Sequence, residues 1–135
     1  MGEGDFPKTD GDVLYASEVN DFYNYPKVLH YGSSATGETF TPTKSDSRIV
    51  VWVKGEATLT GGTTASATID LDIDSVTKDT VSLDSVRFAG ASSSDEMSFT
   101  LMWSDTDLAT SSTDIEVTGG SLSNLKIIVM EYLKE

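Results

Sequence analysis

The chain has no cysteine and only one histidine in 135 residues. These two absences exclude a disulfide framework, a thiolate nucleophile and the zinc sites that draw on several Cys or His ligands. Stability must therefore come from core packing or from association between copies. Basic residues are scarce too: 9 Lys and Arg stand against 22 Asp and Glu, a formal net charge of -13. Such a field repels phosphate backbones and anionic headgroups, so neither nucleic acid nor a membrane surface is an expected partner. Acidity of this kind also keeps a β-rich surface soluble and its sheet edges apart. No apolar run approaches the roughly 20 residues of a membrane span, and the polar start of the chain lacks the apolar core of a signal peptide, so export by a conventional signal is not expected. Gly61-Gly62 and Gly119-Gly120 are not followed by the helix and lysine that a phosphate cradle needs.

Serine, threonine and glycine are abundant, and long stretches of Ala, Leu, Glu and Lys are missing, which points to strands joined by polar turns. The length suits one domain. Residues 1–12 hold three glycines, a proline and four acids, too little apolar surface to order alone, and read as an arm. From Val13 to Tyr25, the spacing of Leu14, Val19, Phe22 and Tyr23 predicts a short helix, capped by Asp12 or Ser17 and stopped by Pro26. A helix this short is marginal in water and must dock on something. Tyr15, Phe22, Tyr23, Tyr25 and Tyr31 offer aromatic area either for the sheet or for another chain. The expected organisation is arm and helix over 1–31, a polar connector over 32–47, and a β domain over 48–135.

Within that domain Ala67, Ile69, Leu71 and Ile73 alternate with Thr68, Asp70, Asp72 and Asp74, the period of a strand with one buried and one wet face. Met97, Phe99, Leu101 and Trp103 alternate likewise, and Ile115 with Val117 marks a shorter strand. Over residues 80–89 the parity changes between Val81, Leu83 and Val86, Phe88, which predicts a bulge or two buried faces. About seven or eight short strands fit an all-β, antiparallel β-sandwich of jelly-roll type, with an immunoglobulin-like sandwich as the alternative.

Two segments break the wet-face rule. Ile49 to Val53 and Lys126 to Tyr132 are apolar on both parities, whereas an antiparallel strand in a monomeric sandwich normally leaves one face to water. The second face needs a cover, either the N-terminal helix or the same sheet of a neighbouring copy, and a homotrimer is the favoured arrangement. The candidate interface residues are Leu14, Val19, Phe22, Tyr23, Trp52, Ile128, Met130 and Tyr132.

Signals for catalysis are weak. His30 has no nucleophile arrangement around it in sequence and reads as a surface or interface imidazole. Asp70, Asp72 and Asp74 open like a calcium loop, but Ser75 stands where glycine is needed and Val81 where the glutamate belongs. They read as a solvated acidic face, a calcium site built with Asp79, Asp84, Asp105 or Asp107 being the alternative. No acid sits in an aromatic-rich loop suited to glycoside cleavage, and Trp52 and Trp103 both read as inward strand positions. No catalytic residue, cofactor or metal is expected. Loops 61–66, 90–95, 104–113 and 118–123 remain as candidate functional surfaces.

The segment Gly11-Asp12-Val13-Leu14-Tyr15-Ala16-Ser17-Glu18-Val19-Asn20 resembles a stretch near the N-terminus of tail-fibre and other virion-appendage proteins of tailed phages. Tyr15 replaces the threonine usual there, which removes a possible helix cap. The resemblance implies an attachment end, followed by a β-rich module that often trimerises and contacts a host surface. On that basis the expectation is a homo-oligomeric virion appendage (tail fibre, head fibre or turret) that holds other virion proteins through its arm and meets a host glycan or protein. A capsid decoration protein and a carbohydrate-binding module are the alternatives.

Overall fold

The computed structural model describes residues 24–34, 36–60, 64–86 and 94–133. The arm, and all but the last two residues of the helix expected over 13–25, lie outside them. Eight strands run in chain order: β1 (Lys27–Ser33), β2 (Gly37–Phe40), β3 (Ser47–Thr60), β4 (Thr64–Ile73), β5 (Val76–Val86), β6 (Ser94–Thr106), β7 (Thr113–Thr118) and β8 (Ser121–Leu133). They form two four-stranded antiparallel sheets, ordered β1-β8-β3-β6 and β2-β7-β4-β5. First pairs with last, second with seventh, third with sixth and fourth with fifth, which is the wrapped hairpin of a jelly roll. An immunoglobulin-like order, with the first strand against the second, is absent from these pairings.

Alternation creates the core. On β3 the side Ser47, Ile49, Val51, Val53, Gly55, Ala57, Leu59 is buried throughout, and β8 adds Leu125, Ile127 and Val129. The facing sheet answers with Ile69, Leu71 and Ile73 from β4 and Ile115 and Val117 from β7. β-Branched residues dominate this list because they pack well on a pleated surface. The turn between β7 and β8 carries the chain from one sheet to the other and requires glycine: Gly119 has a φ of +112°, and a Cβ there would lie 2.0 Å from the Thr68 carbonyl oxygen.

The sandwich begins earlier than expected, because residues 27–33 and 37–40, assigned to the arm and the connector, are edge strands. Their period is masked for physical reasons. β1 carries a bulge at Leu29, where Val28 pairs with Met130 and His30 with Val129, and a bulge breaks a two-residue repeat. β2 has four residues and one buried apolar side chain, Phe40. The parity change expected over 80–89 corresponds to no bulge among its described residues, 80–86. On β5 the bulge sits at Lys78, between Asp79 opposite Leu71 and Thr77 opposite Asp72, while Phe88 lies outside the described residues.

Polar side chains close the flanks where the two sheets part. At the β1/β2 flank, His30 Nε2 lies 3.6 Å from Glu38 Oε2. On the opposite flank, Asp79 of β5 accepts the Met102 N–H of β6 at 2.9 Å, and Ser85 bonds Asp95. The Asp79 carboxylate occupies an edge-strand N–H that would otherwise be open to pairing with a stranger.

One end of the sandwich is held by a buried carboxyl. Glu131 is 0% exposed and accepts hydrogen bonds from the backbone N–H of Thr43 at 2.9 Å and of Lys44 at 3.2 Å, from Ser47 Oγ at 2.7 Å, and from Thr43 Oγ1. Tyr25 Oη bonds Thr43 Oγ1 in turn, so a single side chain of β8 ties down the β2–β3 connection and the approach to β1. Glu131→Gln exchanges one acceptor oxygen for an amide donor that faces donors. The expected loss is about 2–4 kcal/mol of unfolding free energy, read as a lower urea midpoint at unchanged slope.

Candidate assembly surface

The outer face of the β1-β8-β3-β6 sheet is apolar where a free-standing sandwich would present polar groups. Its register sets Tyr31, Ile128, Trp52 and Met102 in one row across all four strands. Val28, Met130 and Val50 make the adjacent row, which ends at Ser104. Tyr31 is 71%, Val28 55% and Met102 50% exposed, while Val50, Trp52, Ile128 and Met130 are half-buried by their neighbours on the sheet. Trp, Tyr and Met are the types concentrated at the centres of protein interfaces, and contiguous apolar patches on soluble proteins mark interaction sites.

Cations frame the patch. Beyond the first row Lys126 stands directly opposite Lys54, and beyond the second Arg48 pairs with Tyr132 and donates from Nη1 to Ser104 Oγ at 3.0 Å. Like charges directly across a ladder are unfavourable. Lys54 and Lys126 form no ion pair with a described residue, and the nearby Glu56 is engaged by Asn124 Nδ2 at 3.1 Å. The opposite sheet has the reverse character: its outer face carries Asp70, Asp72, Asp84, Asp114 and Glu116 among Ser and Thr. The molecule thus has one greasy face rimmed with positive charge and one acidic face.

Of the residues predicted for an interface, Trp52, Ile128, Met130 and Tyr132 come together on this surface, while Leu14, Val19, Phe22 and Tyr23 lie outside the described residues. The inward position expected for Trp52 is corrected, since Val51 and Val53 take the inner side and Trp52 must point out. Trp103 keeps the inner side, at the open end of its strand, and is half-buried. Sequence reasoning missed Val28 and Met102, and reaches Tyr31 only as aromatic area for the sheet or another chain and Val50 only as part of the doubly apolar segment 49–53. Met102 did leave a trace, as the sole apolar residue in the outward phase Ser98, Thr100, Met102, Ser104.

The remaining sequence candidates stand apart from this surface. His30 is part-buried on β1, faces inward, and its Nε2 has no hydrogen-bond partner. Thr80 Oγ1 donates to Asp70 at 2.8 Å, Thr77 Oγ1 to Asp72 at 2.7 Å and the Asp114 N–H to Asp74 at 2.9 Å, so these acids are spread along the ladder and individually engaged. Among the described residues no three His, Asp or Glu side chains converge as a metal ion would require. Comparison with protein-family models and with curated proteins returned no match.

Adjacent residues on β8 separate the two faces experimentally. Ile127 is fully buried inside the sandwich, so Ile127→Ala should cost about 2–5 kcal/mol at any protein concentration. Ile128→Ala should cost roughly 1 kcal/mol in dilute solution and more as concentration rises, because association adds to apparent stability. Urea titrations at two concentrations a hundredfold apart check both values.

Proposed function

We propose that the chain is a structural, non-catalytic protein of a virus particle. It works as a homotrimeric appendage whose N-terminal segment attaches to other virion proteins and whose jelly roll is displayed toward the host surface. The observation that carries this reading is the apolar outer face on β1, β8, β3 and β6, which a solitary copy leaves against water. The resemblance of residues 11–20 to the attachment segments of phage appendages supports the same reading. Chain direction agrees with it: residues 24–26 lead straight into β1, the edge strand of the apolar sheet. Copies gathered on this sheet would bring the starts of their β1 strands near one another.

Charge favours a cyclic arrangement over a twofold one. In a twofold dimer joined face to face, the rim of Arg48, Lys54 and Lys126 meets the same rim of its partner, and like-charge contacts of this kind select against an interface. A threefold axis instead lets the Trp52–Met102 half of one face meet the Val28–Tyr31 half of the next. The acidic sheet stays outward, where its charge keeps assemblies apart.

Native mass spectrometry of the full chain tests this reading. The expected species is a trimer, and Trp52→Lys with Met102→Lys should give a folded single chain with an unchanged far-ultraviolet circular dichroism spectrum. An unaltered chain that remains single at high concentration would overturn it.

A further inference from the structure

We propose that the cavity at the end of the sandwich beside Trp103 binds a neutral pyranose sugar. This site lies away from the apolar sheet face, and its occupancy does not depend on the assembly or the virion reading.

The inner row of β6 runs Phe99, Leu101, Trp103, Asp105. The first two are buried in the core, whereas Trp103 packs against the core and also lines a cavity of about 260 Å³ into which the row runs out. Val76 and Leu108 extend the apolar wall, and Asp74, Lys78 and Asp105 supply the polar groups. Local backbone features set two of these. The bulge on β5 leaves Lys78 unpaired in the ladder, and it is this residue that lines the cavity rather than following the alternation of its strand. Asp74 and Ser75 form the β4–β5 turn with φ of 49° and 67°. Asp74 is held there by a reciprocal pair: its N–H donates to the Asp114 carbonyl at 2.9 Å, and its Oδ1 accepts the Asp114 N–H at 2.9 Å. The other oxygen of Asp74 accepts no hydrogen bond from a described residue.

The lining selects the ligand by exclusion and by fit. Two carboxylates in a molecule of net charge -13 disfavour phosphate, sulfate and acidic sugars. Lys78 in the same lining disfavours an ammonium or guanidinium group, which Trp103 and two aspartates alone would welcome. A neutral sugar remains. Its ring has an apolar C–H face that suits an indole, and neighbouring hydroxyls that donate to Asp74 and Asp105 and accept from Lys78. At about 260 Å³, and open to solvent along the exposed Asp74, Val76, Lys78 and Asp105, the hollow is small, a space of single-ring size. Apolar walls with a few convergent polar groups are the usual make-up of a small-molecule site.

The test is a titration of the full chain with the methyl glycosides of glucose, galactose and mannose and with N-acetylglucosamine, followed by the indole N–H resonances of Trp52 and Trp103. The expected result is a saturable shift of the Trp103 signal with at least one of these sugars, the Trp52 signal staying in place. Asp105→Ala and Lys78→Met should each weaken that binding about tenfold, the loss of one hydrogen bond, with the circular dichroism spectrum unchanged. Galacturonic acid and an arginine amide serve as charged probes. A Trp103 resonance unmoved by every neutral sugar, a larger response to either charged probe, or binding unaffected by both substitutions overturns the proposal.

Discussion

A β-strand has two faces, and β3 and β8, side by side in the middle of one sheet, are apolar on both. This constraint orders the rest of the structure. The inner faces are covered by the opposite sheet, whose Ile69, Leu71, Ile115 and Val117 complete a core with almost no water contact. The outer faces present Trp52, Val50, Ile128 and Met130, and the neighbouring edge strands extend the patch with Tyr31, Val28 and Met102 instead of ending it with charge. Covering the part of these side chains that remains exposed is favourable, and assembly against a second copy would supply that cover. In such an assembly the cations at its border would govern which geometry is tolerated.

Polar groups do the complementary work of keeping the sandwich closed and its edges selective. Glu131 takes backbone and hydroxyl donors from the β2–β3 connection into a site no water reaches. His30 with Glu38, and Asp79 with the Met102 amide, span the two flanks. The contacts of Glu131, Asp79, Ser85 and Asp95 are local hydrogen bonds, not long-range charge effects, so they keep their strength in salt better than surface ion pairs do. They allow a chain with no disulfide to hold two sheets in register at a large net negative charge.

The long strands were legible in the sequence because their alternation is regular: β4 and β6 follow a two-residue period over their apolar positions, and the double apolar phase of β3 and β8 was visible as a departure from it. From that departure the outer surface could be anticipated, and Trp52, Ile128, Met130 and Tyr132 share it. The edge strands were not legible. A bulge at Leu29 shifts the phase of β1 midway, so Val28 and Tyr31 share a face although they are three residues apart. β2 offers Phe40 alone as a signal. The cavity beside Trp103 was hidden for a similar reason, since the bulge that leaves Lys78 to its lining is a feature of pairing between strands and has no mark in the strand's own composition. Its loop, 104–113, was nevertheless among the candidate surfaces.

The central claim is that sister copies cover the outer face of the β1-β8-β3-β6 sheet, and methionine oxidation footprinting addresses it most directly, because Met102 and Met130 both lie on that face and oxidation follows exposure. Met97, packed against the core of the same chain, is the internal reference. Oxidation of Met102 and Met130 should be slow in concentrated protein and rise on dilution, while Met97 stays constant. Equal oxidation of Met102 and Met130 at every concentration, at the rate of a solvent-exposed side chain, would contradict the account.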